Sequence, residues 1–158
     1  MGKLLTLLVV LGAGFGIYWT QFHKSAEYKT YLKWVDATVQ GDCRTLTSMA
    51  EGKASDWVTS YCTPAGGMTI FGKTIAGRSA ADMVQEMRNS PAGYPSLRHH
   101  LESSTEAADG QMTLVITEQV LGRPSNFNKP PPDHKHTVIL KPAGEDWKIV
   151  EFNDQELP

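Results

Sequence analysis

Charge of one sign is what this sequence most lacks. The formal net charge is -2, and the lysines and arginines are scattered from Lys24 to Lys148 rather than gathered on one segment. Phosphate binding needs a basic stripe, so nucleic acid is excluded as a partner. Cysteine is almost as scarce: Cys43 and Cys62 are the only two. Two sulfurs that far apart, with no adjacent histidine, do not make a metal site. Internal repeats are missing, and the only biased segment is the short proline-rich stretch around Pro130. Gly66-Gly67 and Gly72 lack the lysine and the helix that a phosphate-cradling loop requires. The serines fall in caps and turns, so no nucleophile constellation is visible either. No cofactor and no metal are expected.

Charge is also missing from one place where its absence is informative. Between Lys3 and Lys24 there is no charged residue, and Leu4 to Trp19 is apolar apart from Thr6. Thr20, Gln21 and Phe22 extend the run, and Tyr18, Trp19 and Phe22 cluster where an aromatic belt sits at a membrane interface. The small residues Gly12, Ala13 and Gly14 lie inside the apolar run rather than beyond it, and Lys24 would occupy the minus-three position of the next candidate cleavage site, Ala26. Residues 1–24 are therefore expected to be a retained transmembrane anchor, a cleaved signal peptide being the alternative. Gly12, Gly16 and Thr20 form a small-residue stripe that lets a second helix approach closely.

Beyond the leader, residues 25–158 read as one domain, long enough to bury a core. An even cysteine count in an exported domain reads as one disulfide, with two buried free thiols as the alternative. Tyr28, Tyr31, Leu32, Val35 and Val39 recur at helical spacing, Gly41 ends that helix, and Asp42 caps a short second one. Lys53 to Gly67 is ambiguous, a helical turn around Trp57 followed by a loop. Met68 to Gly77 alternates like a short strand or hairpin. Ser79 caps a helix that carries Met83, Val84 and Met87 inward. After Pro91 the period becomes two: Leu97 to Glu106, Gln111 to Leu121, His136 to Lys141 and Trp147 to Phe152 read as strands joined by tight turns at Asp109-Gly110 and Gly144-Glu145. Helices followed by a strand meander make an α+β plan.

Three stretches carry a resemblance. VDATVQGDCRTLTSMA resembles the opening of the nuclear transport factor 2-like superfamily, IFGKTIAGRSAADMVQEM its glycine-marked strand and third helix, and TVILKPAGEDWKIVEFN its closing hairpin. The resemblance implies three helices packed in a strongly bent, mostly antiparallel sheet, a cone that often leaves a pocket. Family enzymes place an aspartate or an Asp-His pair deep in that cone. The candidates here are Asp36, Asp56, His99, His100 and Glu118. Asp36 lies at the edge of its helix stripe, and Asp56 suits a cap. His99 and His100 must point to opposite faces of their strand. Glu118 shares a face with Met112, Leu114 and Ile116, although a solvated strand end accounts for it as well. His134 and His136 share a face if the strand begins that early, but no acidic or histidine partner at a recognisable spacing completes a metal site.

With no clear chemistry, a non-catalytic scaffold or accessory subunit of a bacterial inner-membrane complex is the expected function. Its N-terminus would be cytoplasmic and its domain periplasmic, with other complex subunits, or a second copy, as partners. In layout it is similar to the scaffold subunits of type IV secretion machines, which join one transmembrane helix to such a domain. The expected contact residues are Val115, Leu121 and Phe152 on the outer sheet face, with Phe127 and Pro131 in the long connection Gly122 to His134. Two other readings differ in class. One is a module binding a small apolar ligand among Leu32, Val35, Met83, Met87 and Ile116; it fails if those side chains fill the cone. The other is a lyase or isomerase, which has no base if Glu118, Asp56 and Asp36 are all exposed.

Overall fold

In the computed structural model, residues 25–64, 66, 68–70, 73–75, 77–90, 93–121 and 132–157 are described. The anchor residues Gly12, Gly16 and Thr20, and the connection residues Phe127 and Pro131, lie outside this set. No helix among the described residues is long and apolar enough to cross a membrane.

The first helix, α1, covers Ala26–Gln40 and is capped by Ser25. It ends because Gly41 turns left-handed, at φ +65°, a conformation that costs glycine nothing and other residues strain. Asp42 then accepts the backbone N–H of Thr45 and opens α2, Cys43–Met49. The stretch left ambiguous by its sequence is a full ten-residue helix, α3, Lys53–Cys62. Its apolar side is carried by Ala54, Trp57, Val58 and Tyr61, a spacing of three and four that fits a helix. A short antiparallel pair follows, β1 (Met68–Ile70) and β2 (Lys73–Ile75). The helix α4, Ala80–Asn89, starts in a capping box in which Ser79 and Asp82 satisfy each other's backbone N–H groups. The described residues thus contain four helices, one more than the resemblance implied.

Four strands complete the domain as an antiparallel meander in the order β3 (Ser96–Glu106), β4 (Met112–Leu121), β5 (His134–Ala143) and β6 (Asp146–Glu156). The turns between β3 and β4 and between β5 and β6 carry Gly110 and Gly144 at φ +79° and +70°, as those tight turns need. One face of the sheet meets the helices. Leu114, Ile116, Val138, Leu140 and Ile149 are sealed there with Tyr31, Trp34 and Leu46, each at 1% exposure or less. Burying each such side chain contributes roughly 1.5–3 kcal/mol, so this face dominates the stability of the domain. Trp34 is the centre of an aromatic group with Trp57 and Phe152, at ring distances of 5.4 and 5.9 Å.

Two expectations about facing are corrected. Met83 and Met87 are 49% and 46% exposed, because α4 buries Ala81 against α1 and turns its methionines outward. Phe152, expected on the outer face, points inward. Ile139 pairs with Glu151 and Leu140 with Ile149, so Val150 is an extra residue on β6. That bulge reverses the alternation for everything after it.

Candidate functional site

The inward face of the sheet is apolar through Leu140, Val138, Leu114 and Ile116 and then becomes polar. In the next two rows the period of two brings different residue types to the same face. His136 lies opposite Ile116 on one side and Asp154 on the other, and beyond them His99, Glu118 and His134 stand in one line across three strands. The N-terminal half of α1 lies over these rows and contributes Tyr28 and Tyr31.

The groups are paired. His99 Nε2 and Glu118 Oε2 are 2.7 Å apart, with side chains only 10% and 14% exposed. Tyr31 Oη and His136 Nδ1 are 2.8 Å apart in a buried contact. His136 Nε2 lies 3.4 Å from Asp154 Oδ1, and the same oxygen is 2.8 Å from His134 Nδ1. The Tyr31 ring meets the His99 imidazole edge-on at 5.6 Å, and Phe152 closes one side of His136 at 5.1 Å. Tyr28 Oη donates to the His99 carbonyl at 3.4 Å. Access from solvent is through His134 and Asp154, whose side chains are 28% and 44% exposed.

Burial sets the electrostatics. It pushes the Tyr31 phenol far above the ordinary value, reinforced by the Glu118 carboxylate, so this hydroxyl stays protonated. It pulls the His136 imidazole down, against the pull of Glu118 and Asp154. For Glu118, burial acts upward, but the His99 hydrogen bond together with the charge of the surrounding imidazoles outweighs it and holds the carboxyl below its usual range. A carboxylate that accepts from His99 Nε2–H leaves His99 Nδ1 with its lone pair. The pair is thus arranged to accept a hydrogen bond through Nδ1, the tautomer being assigned from this geometry.

Most residues singled out from sequence fall elsewhere. Cys43 and Cys62 form the disulfide that the even count implied, with Cα atoms 5.9 Å apart, joining the start of α2 to the end of α3. Leu32 and Val35 are half-buried against the core, and Ile116 is fully sealed within it, so with both methionines exposed the expected apolar lining does not converge. Val115 is half-buried on the outer face, where Thr117 donates to Glu102 and Lys135 pairs with Glu102, and Leu121 is 38% exposed. His100 is exposed on the face opposite His99, as strand alternation requires. Asp36 is exposed and held by Gln40 Nε2 at 2.6 Å. Asp56 is exposed on the outer side of α3, beside an open depression it lines with Thr59, Ser60 and Thr63. Glu118 alone of the proposed acids turns inward.

Tyr31 and Asp154 were not singled out as site residues. Tyr31 read as core, which it also is. Asp154 had no sequence signal, because its place beside His136 depends on the bulge at Val150.

No family model and no curated protein matches this chain. Among solved structures it is similar to an NTF-2 like protein of unknown function from Silicibacter pomeroyi, at 12% identity and a TM-score of 0.48, over 84% of this chain and 93% of that one. A candidate dehydratase from the NTF2-like family of Streptomyces avermitilis has 14% identity and a TM-score of 0.47, over 84% and 94%. A candidate calcium/calmodulin-dependent protein kinase type II association domain from Thiobacillus denitrificans has 14% identity and a TM-score of 0.46, over 82% and 93%. At such scores no activity is carried over to this chain, and the architecture described above stands on its own strands and helices.

Proposed function

We propose that this domain binds a small polar molecule at the end of the sheet, where His99, Glu118, His134, His136, Asp154 and Tyr31 converge. The observation that carries this reading is the His99–Glu118 pair, 2.7 Å apart and nearly buried on the helix-facing side. Half-buried ionisable groups cost stability unless paired, and here the pairing leaves an acceptor nitrogen over. With His136 held neutral and two carboxylates present, the site favours a ligand bearing O–H or N–H donors over an anion. The apolar ligand expected from sequence loses support, because its lining residues are sealed or exposed.

The disulfide supports an oxidising compartment, and with the apolar leader we propose a periplasmic domain tethered to a bacterial inner membrane. A scaffold role remains compatible with that tether, but the described residues lend it little. The outer face bears Glu102, Lys135 and Thr117 beside Val115, and Phe152 is turned away from it.

A second reading, a lyase or isomerase, is favoured by one observation: Glu118 is inward and orients His99, so a proton acceptor exists. Family dehydratases and isomerases need such a group, and His99 would be the base with Glu118 positioning it.

Native mass spectrometry of the full chain, extracted gently in detergent, tests the binding reading. The wild type is expected to carry a small-molecule mass increment that His99→Ala loses. A wild type without an increment, or an increment unchanged in His99→Ala, would overturn it.

A further inference from the structure

We propose that His134, His136 and Asp154 form a site for a borderline divalent transition metal, with Zn2+ the best fit. The inference goes beyond the binding reading and does not rest on the His99–Glu118 pair. One atom from each of the three residues lies within 4.8 Å of the others. The two nitrogens stand 2.8 and 3.4 Å from Asp154 Oδ1. In a tetrahedral site with bonds of about 2.0–2.1 Å, neighbouring donors are roughly 3.3–3.4 Å apart, so of the two nitrogen–oxygen distances one already fits and the closer one has to open by about half an ångström. Two imidazoles and one carboxylate are the donor set that zinc takes at sites with an open position, whereas calcium and magnesium prefer oxygen alone. Solvent reaches Asp154 and His134, leaving room for water as the remaining ligand.

The buried tyrosine is the second, independent observation. A ligating histidine needs its other nitrogen held, and Tyr31 Oη lies 2.8 Å from His136 Nδ1, which turns Nε2 toward Asp154. Phe152 walls the same ring. Register supplies further negative charge: Glu118 and Glu156 lie on the strands either side of β5, both opposite His134. The charged or titratable neighbours include Glu118, Glu156 and His99 from the sheet and Tyr31 and Tyr28 from α1, and the carboxylates favour a cation.

Isothermal titration of ZnCl2 into the full chain, in detergent and stripped with chelator, is the test. One equivalent is expected to bind. His134→Ala and Asp154→Asn should each weaken binding at least about tenfold, Tyr31→Phe by about 10- to 100-fold as for an outer-shell partner, and Asp36→Asn, on the exposed side of α1, not at all. Cobalt(II) in place of zinc should give the visible bands of a low-coordinate site, lost in His134→Ala. Should His134→Ala lose its near-ultraviolet dichroism, the nearly isosteric Asp154→Asn decides. The proposal is overturned if no saturable uptake is seen, or if Asp154→Asn binds as the wild type does. Zinc uptake without a small-molecule increment would sink the ligand reading and leave the metal site standing; the reverse would sink the metal site alone.

Discussion

Breaking the Cys43–Cys62 bridge should remove a calculable share of the stability of this domain. The two cysteines are separated by 19 residues and close a loop that contains nearly all of α2 and α3. Closing a loop of that length removes roughly 10–11 cal/mol/K of chain entropy from the unfolded state, which at room temperature is about 3 kcal/mol. The loop is central to the fold. α2 contributes Leu46 and Met49 to the core and α3 contributes Ala54 and Val58, while Ala50 and Glu51 pair with Ile149 on β6. Unfolding in urea should compare the oxidised chain, the same chain reduced with dithiothreitol, and the double variant Cys43→Ala/Cys62→Ala. With a slope of about 1–3 kcal/mol/M, the midpoint should fall by about 1–3 M on reduction. The double variant should fall by a similar amount or slightly more, since Cys62 packs partly against the core. The reasoning is refuted if reduction lowers stability by less than about 1 kcal/mol at an unchanged slope.

Two further outcomes follow from backbone strain and from burial. Gly41→Ala places a Cβ 2.7 Å from the Ala81 carbonyl oxygen in a left-handed conformation, so it should cost at least about 1–2 kcal/mol by urea unfolding; an equal midpoint would mean that α1 and α4 are not this close. The His136 imidazole is held below its ordinary value near 6.5, so the folded state binds its proton less readily than the unfolded one. Its contribution is complete above about pH 6.5 and is lost as pH falls through the lowered folded value, with Glu118 adding a further loss below about pH 4.5. In chelator, the thermal midpoint should therefore decline from pH 6.5 to 5, and the decline should be shallower in His136→Gln; a flat or rising profile in the wild type would contradict the burial argument.

The α+β order, the caps at Asp42 and Ser79, the glycine stops and the four-strand meander were legible because each depends on local chemistry or a short period. Facing was less legible, and two elements show why. On α4, hydrophobicity alone does not fix which side packs: the helix touches α1 through Ala81, a small residue that carries no strong signal, and its larger methionines remain outside. On β6, the turn at Gly144-Glu145 sets a register in which Trp147 lies opposite Pro142 and Ile149 opposite Leu140. Continued without interruption, it would put Asn153 beside His136. The extra residue at Val150 puts Asp154 there instead, a placement that no local pattern encodes. The full helix α3 was missed for a related reason, since its aromatic residues Trp57 and Tyr61 gain their preference from stacking at 5.0 Å on each other and from Trp34, not from intrinsic helix propensity.

The same bulge bears on what the polar rows are for. A domain that needed only a core could carry leucine or valine at positions 99, 118, 134, 136 and 154, and hydrophobic replacement of buried ion pairs is commonly neutral or stabilising. Here the apolar face stops at Ile116 and Val138, and three of the five histidines of the chain gather in the next two rows. Their pairing lowers the cost of burying them, yet it adds little that packing would not add. One carboxylate orients His99 from β4, another bridges His134 and His136 from β6, and the second reaches its place only because β6 gained a residue. The tyrosine over them acts in both systems, its ring against His99 and its hydroxyl on His136. An arrangement that aims two donor sets at one solvent-facing end of the sheet fits a ligand site better than a stabilising network, and the unequal responses expected of His99→Ala and Asp154→Asn separate the two halves.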